Sequence, residues 1–271
     1  LPTNDERTAV CCLSSLNLEL YDEWKDTDVV KDLITFLDNV LQFFIDNAPD
    51  YISRARYSAT QERSLGLGAM GLHSLYQKNE MPFDSLRAKT LNEEIFKKIK
   101  EDAVEQTKVL GKEKGEAPDM EGTGKRNAHL LAIAPNANSS MITGCSPSIE
   151  PHKANAYTHR TRAGSHLIKN RYLREELIKL NMDTPEVWTS IITNGGSVQH
   201  LDFINDSIKE VFKTAIEIDQ RVIIEQGGDR QKYLCQGQSL NIFFPAGASK
   251  NYLHDVHMMA WKHECKGLYY L

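Results

Sequence analysis

The stretch that most constrains the fold runs from Ala128 to Pro151 and reads AHLLAIAPNANSSMITGCSPSIEP. Its apolar residues 130–134 stop abruptly at Pro135, as expected for a strand buried on both faces of a parallel sheet. Asn136, Asn138 and the serines that follow favour a helix start. A strand, a tight turn and a helix N-terminus together present unpaired N–H groups to an anion. An ordinary capped helix explains the same residues, because the glycine spacing of a P-loop is absent.

Strands and helices alternate along the rest of the chain, which predicts an α/β fold with a largely parallel sheet. Apolar spacing predicts helices at 29–45, 64–76, 84–114, 171–180, 184–193, 205–225 and 250–263. Strands are expected at 7–20, 239–244 and 267–271, with paired strands across 155–169. No fixed repeat or low-complexity linker divides the sequence, so residues 1–271 are expected to form one unit.

Composition excludes several classes of protein. The net charge of −5 disfavours a nucleic-acid or membrane surface. The five cysteines are an odd number without a C-x-x-C pair, which favours a reducing compartment and predicts a cytoplasmic protein without a cysteine zinc site. Cys11 and Cys12 sit in an apolar strand-like run, where cysteine commonly acts as a small hydrophobe. His254 and His257 lack a third ligand nearby in sequence, so no metal site is predicted.

An ordered set of motifs resembles the large catalytic subunit of class I ribonucleotide reductases. The motifs are LPT at the start, the Cys11 strand with SLNLE, LGLGAMGL, RNAHLLAIAPNANSSMITGCSPSIEP, YTHR, QGQSLNIFF and the closing GLYYL. Any one of them is weak evidence, but they follow the family's order across essentially the whole chain. The family's catalytic domain is a ten-stranded α/β barrel. The resemblance therefore implies that this chain is a C-terminal part of the subunit and supplies the second half of that barrel.

The resemblance also implies roles for particular residues. Cys11 matches one of two cysteines that reduce the substrate and become a disulfide. Tyr269 and Tyr270 match a tyrosine pair that relays a radical from the small subunit. The residues that match the substrate-phosphate loop are Pro135, Asn136, Ala137, Asn138 and Ser139. Composition and spacing alone leave the tyrosines open to a packing role, because adjacent aromatic residues also suit a strand.

Other parts of the family machinery would lie outside this chain, which begins with Leu1 and looks cut at both ends. The thiyl-radical cysteine, the second redox cysteine and the allosteric nucleotide sites are expected upstream. The cysteine pair that re-reduces the site is expected in a tail beyond Leu271. Because a single thiol cannot form an internal disulfide, we expect the isolated chain to be inactive.

The resemblance implies no cofactor in this chain and several partners. A metal-containing small subunit would supply the radical, and a thioredoxin- or glutaredoxin-type protein would supply electrons. The other expected partners are a ribonucleotide, the N-terminal part of the large subunit and a second large subunit in a homodimer. One alternative is a cobalamin-dependent or anaerobic reductase, which the tyrosine pair disfavours. Another is a non-catalytic nucleotide-binding or assembly piece of a split enzyme.

Overall fold

A computed structural model describes residues 1–162 and 164–269, and it has mixed α/β architecture. The strands are β1 (Cys12–Asn17), β2 (Leu65–Met70), β3 (Ala156–Thr161) and β4 (Gly164–Lys169). The helices are α1 (Tyr21–Trp24), α2 (Val29–Asn47), α3 (Ser53–Glu62), α4 (Leu72–Lys78), α5 (Leu86–Lys114), α6 (Ala137–Thr143), α7 (Arg171–Lys179), α8 (Pro185–Thr193), α9 (Asp206–Val211), α10 (Gln220–Gln231) and α11 (Lys250–Lys262).

A parallel arc of chain segments forms the framework. β1 pairs with β2 from Cys12 opposite Leu65 to Asn17 opposite Met70. Parallel bridges then join Leu67 to Leu131, and Ile133 to Gln238, so two further segments extend the arc. The predicted buried parallel segment at 130–134 is confirmed, although single bridges replace a full ladder. The arc does not close into a barrel among the described residues.

Two apolar cores stabilise this arrangement. The larger core lies between the arc and helices α2, α5, α10 and α11, and its central side chains include Ile34, Leu67 and Phe96. The smaller core packs α7, α8 and α9 beside the antiparallel β3–β4 hairpin, around the fully buried ring of Trp188. No helix in the described ranges is long and apolar enough to cross a membrane.

Most helix predictions are confirmed: those near 29–45, 84–114, 171–180, 184–193 and 250–263 match α2, α5, α7, α8 and α11. The paired strands across 155–169 are confirmed as β3 and β4. The strand expected at 7–20 is shorter, because a 3-10 turn at Leu18–Leu20 follows β1.

The predicted helix at 64–76 is wrong, because its first half is strand β2 and only its second half is helix α4. The glycines explain the difference. A Cβ at Gly68 would stand 2.4 Å from the carbonyl oxygen of Ala132, so only glycine lets these two backbones lie side by side. Gly71 then turns the chain with φ +83°, a conformation that glycine adopts without strain.

The single helix predicted at 205–225 is also wrong, because α9 and α10 are separate. Between them Ala215 donates its N–H to the carbonyl of His152, and Asp219 caps the start of α10. Gly227 and Gly228, which directly follow the predicted helix, lie inside α10. A Cβ at Gly228 would stand 2.6 Å from the Cβ of His263, so the glycine allows close packing rather than ending the helix.

The expected strand at 239–244 does not form beyond the bridge at Gln238. Leu240 donates its N–H to the carbonyl of Gln238, and Phe243 donates its N–H to the side chain of Gln220. These two N–H groups therefore do not pair with a neighbouring strand. Residues 267–269 have no regular structure, and the rest of the last predicted strand lies outside the described residues.

Candidate active site

The predicted phosphate loop lies where the buried segment 130–134 ends and α6 begins. Asn136 has φ +52°, a left-handed conformation that asparagine tolerates better than most residues. Its side chain does not cap α6, so the expected capping role is wrong for this residue. Instead Nδ2 donates to Ser15 Oγ at 2.9 Å, and to the carbonyls of Ala69 and Ala134 at 3.3 and 3.2 Å. Asn136 therefore ties the loop to both β1 and β2.

The start of α6 faces an open cleft. Ala137, Asn138 and Ser139 are exposed, and the first bond into the helix is Ser140 N–H to the carbonyl of Asn136. The preceding N–H groups have no acceptor within the helix, as at any helix start. The cleft has a volume of about 620 Å³ and is lined by Leu13, Ser14, Ser15, Met70, Ala134, Pro135, Asn136, Ala137, Asn138 and Ser139. The structure thus brings all five predicted loop residues to one cleft.

The two neighbouring cysteines face different surroundings. The sulfur of Cys11 lies 2.8 Å from the position that a Cβ would take on Gly66, and Gln236 Nε2 lies 3.6 Å from it. Cys12 packs instead against the larger apolar core. Leu13 pairs in register with Gly66 and covers the same side of it as Cys11. Cys11 directly precedes β1, and its sulfur lies on the same side of Gly66 as Leu13. Because strand residues alternate in direction, Ser15 shares this face with Leu13, and both line the cleft.

Burial raises the pKa of the Cys11 thiol, and the hydrogen bond from Gln236 lowers it in part. Burial alone raises the pKa of Cys12. A hydrogen-bond donor beside a sulfur favours the thiolate, which is the reactive form of cysteine. Within residues 1–162 and 164–269, such a donor is found for Cys11 and not for Cys12.

The tyrosine end of the chain adjoins the same arc. The N–H of Tyr269 donates to the carbonyl of Leu240 at 2.9 Å, two residues beyond the Gln238 bridge. Its side chain is about half exposed. Tyr270, the other predicted relay residue, lies outside the described residues.

Sequence reasoning missed several buried or half-buried polar groups. Gln236 and Gln238 belong to the quoted QGQSLNIFF motif, yet neither received a role. Glu150 is buried beside Asn241, whose Nδ2 donates to it, and burial raises the pKa of this carboxyl to about 7. Burial also lowers the pKa of His73, and lowers that of His152 to about 4. No pattern of spacing distinguishes these residues, because their burial depends on contacts between distant segments.

Among residues 1–162 and 164–269, no group of three or more His, Cys, Asp or Glu side chains is arranged to hold a metal ion. The expectation of no cofactor in this chain stays a prediction.

A parallel arc backed by helices, with a cysteine strand and an open helix start on one side, is the architecture of an α/β barrel-type domain. The family described as "Ribonucleotide reductase, barrel domain" matches residues 1–123 and 117–271. The chain belongs to this family, and its large-subunit identity and barrel-type fold are confirmed as predicted.

The chain is similar along its whole length to several large subunits. It is 58% identical to the putative ribonucleoside-diphosphate reductase large subunit of Frog virus 3, and 50% identical to the large subunit of Invertebrate iridescent virus 6. It covers 48% and 29% of those proteins. It also matches the solved class Id ribonucleotide reductase alpha subunit of Actinobacillus ureae with 41% identity and a TM-score of 0.94, covering 51% of that chain. The chain thus spans about half or less of these relatives.

Proposed function

We propose that this chain supplies one redox thiol and the substrate-phosphate loop of a ribonucleoside-diphosphate reductase. The observation that carries the proposal is the course of β1: Cys11, directly before the strand, lies near Gly66, and Ser15 within it is bonded to Asn136 of the loop. One strand therefore links the thiol to the helix start. The relatives named as diphosphate reductases support a ribonucleoside diphosphate as the substrate.

In the proposed reaction the substrate's phosphates lie at the open N–H groups of residues 137–139. Opposite charges favour this position, because a helix N-terminus is partly positive. The bond between C2′ and its hydroxyl breaks, and the oxygen leaves as water. Cys11 and a second thiol supply two electrons and two protons, and their sulfurs form a disulfide. The second thiol and the thiyl radical that activates C3′ belong to the upstream part of the subunit in this proposal.

The proposal includes the partners that the resemblance implies. A metal-containing small subunit supplies the radical, and Tyr269 and Tyr270 carry it over the last steps. A thioredoxin- or glutaredoxin-type protein restores the thiols. We place allosteric nucleotide sites upstream, a second large subunit in a homodimer, and the assembled enzyme in the cytoplasm.

Reconstitution tests this function. The purified chain is mixed with a polypeptide carrying the upstream half, the small subunit, a dithiol reductant and a ribonucleoside diphosphate. We expect the deoxynucleotide to form only in the complete mixture, and to be lost when Cys11→Ser replaces the wild-type chain. Turnover by the 271-residue chain with the small subunit and reductant alone would overturn the proposal. A complete mixture that assembles and binds nucleotide without turnover would instead identify a non-catalytic piece.

A further inference from the structure

We propose that Gln236 is a positioning residue for Cys11, fixing the direction of its sulfur and stabilising its thiolate. The proposal rests on the redox role of Cys11 given above. Gln236 comes from the third segment beyond β1 in the arc, and 225 residues separate it from Cys11 in sequence. Its terminal nitrogen nevertheless contacts the Cys11 sulfur at 3.6 Å.

The identity of the contacting atom follows from a second hydrogen bond. The same nitrogen of Gln236 lies 2.8 Å from the backbone carbonyl of Leu65. A carbonyl oxygen can only accept, so the side-chain atom facing it must be the NH₂ group and not the amide oxygen. An NH₂ group has two hydrogens. One is used by Leu65, and the other is available for Cys11.

The backbone holds this donor in place at both ends of the residue. The N–H of Gln236 donates to the carbonyl of Leu131 at 3.1 Å, and its carbonyl accepts from Gln231 Nε2 at 3.1 Å. On the other side Gly66 leaves the space that the Cys11 sulfur occupies, since a Cβ there would be only 2.8 Å from it. The amide and the sulfur are therefore brought together by fixed neighbours, which reduces the entropy lost in forming the contact.

The electrostatic surroundings make this donor important. Burial raises the pKa of Cys11, and the thiols of Cys12 and Cys235 raise it further when charged. The hydrogen bond from Gln236 acts in the opposite direction. It is the main influence that favours the thiolate, and it is directional.

Thiolate stabilisation matters most when the site is restored. An external thiolate then attacks the disulfide, forms a new S–S bond to the second cysteine and releases Cys11 as a thiolate. A leaving thiol with a lower pKa departs faster. By donating to the departing sulfur, Gln236 assists this step and keeps the Cys11 sulfur beside Gly66.

The experiment measures the reactivity of Cys11 in the purified 271-residue chain. Each cysteine's rate of alkylation by iodoacetamide is followed by mass spectrometry between pH 6.5 and 10, for wild type, Gln236→Met and Gln236→Glu. Methionine has similar length without a donor, and glutamate keeps the shape but replaces the donor with a charged acceptor. At pH 8 we expect Cys11 to react about three- to tenfold more slowly in Gln236→Met, and more slowly still in Gln236→Glu.

Cys12 is the internal control, because it precedes Leu13 on the same strand but packs into the core. Its rate should stay unchanged in both variants. An unchanged pH dependence of the Cys11 alkylation rate in Gln236→Met would overturn the proposal. An equal fall in the Cys12 rate would also overturn it, because it would indicate a purely structural role for Gln236. If one variant fails to fold, the other decides, since a loss of Cys11 reactivity is expected in each. The assay needs no reductase activity, so its failure is distinct from failure of the proposed function.

Discussion

Asn136 and Ser15 join the loop to the cysteine strand: Asn136 Nδ2 donates to Ser15 Oγ at 2.9 Å across 121 residues of sequence. Ser15 lies on the same face of β1 as Leu13, and the Cys11 sulfur lies beside Leu13 over Gly66. A change in the loop that breaks this hydrogen bond can therefore alter the position of the strand that follows the redox thiol. The Ser15–Asn136 pair also explains why Asn136 does not cap α6, since its side-chain oxygen accepts from Ser15 Oγ at 3.1 Å and not from a helix N–H.

The first prediction separates the hydrogen bonds of Asn136 from its left-handed backbone. Asn136→Gly removes the side-chain bonds but suits φ +52°, and we expect it to lower the free energy of unfolding by about 1–2 kcal/mol. Asn136→Ala should cost about 1 kcal/mol more, because its Cβ disfavours this conformation. Urea unfolding followed by circular dichroism measures both. Equal stability of both variants and wild type would show that the contacts contribute nothing.

The second prediction places substrate phosphate at the helix start. Asn138→Asp adds a negative charge at an exposed position lining the cleft, so we expect at least tenfold weaker substrate binding in the reconstituted enzyme. Ile142→Asp adds the same charge on α6 at an exposed position further along the helix, and should have a much smaller effect. Equilibrium nucleotide binding checks both variants. Unchanged affinity in Asn138→Asp would mean that the phosphates bind elsewhere.

The third prediction concerns the neighbouring thiols. Cys11→Ser cannot form a disulfide and should abolish deoxynucleotide formation in the reconstituted enzyme, while leaving assembly intact. Cys12→Ser should retain activity and lose about 1 kcal/mol of stability, because it introduces a hydroxyl beside the apolar core. Product formation and thermal unfolding are measured for each. The reverse pattern would assign the redox role to Cys12.

The fourth prediction tests the radical path. Tyrosine can lose an electron and a proton together, whereas phenylalanine keeps the ring without the ionisable O–H. We expect Tyr269→Phe and Tyr270→Phe to assemble and bind nucleotide normally yet lose nearly all reductase activity. A packing role would change stability by about 1 kcal/mol or less and leave turnover intact. Substantial turnover by either variant argues against the relay.

The fifth prediction concerns Glu150. Burial raises the pKa of its carboxyl to about 7. A carboxyl with a raised pKa binds its proton more tightly in the folded chain than in the unfolded chain. Its contribution to stability is therefore present below the usual value of 4.5 and is lost as the pH rises through about 7. Between pH 4.5 and 8 the titration of Glu150 should lower the wild-type free energy of unfolding by on the order of 3 kcal/mol. Glu150→Gln has no carboxyl at this position, so this loss should be absent from the variant.

The control for Glu150 is Glu113→Gln, which neutralises an exposed carboxyl on α5. Denaturant unfolding at several pH values should give the wild-type pH dependence for this variant. A wild-type pH dependence in Glu150→Gln as well would show that the buried carboxyl does not titrate in this range.

The sequence by itself determined the elements whose causes are local. Apolar spacing and end residues predicted α2, α5, α8 and α11, because their main contacts lie on one helix face. The ordered motifs identified the family, and they brought Cys11 and the loop forward as candidates. The cap of α8 is equally local, because Thr184 Oγ accepts the N–H of Val187 only three residues later.

Only the tertiary structure decided features that depend on a distant partner. Gly66 and Gly68 looked like parts of a helix, but the neighbouring backbones require a strand there. Asn136 was expected to cap α6, but its side chain is hydrogen-bonded to Ser15 instead. Gln236 had no role until folding brought it to Cys11. In each case the residue's conformation or hydrogen bonding depends on a contact with a residue far away in sequence. Local propensity carries no information about such a contact.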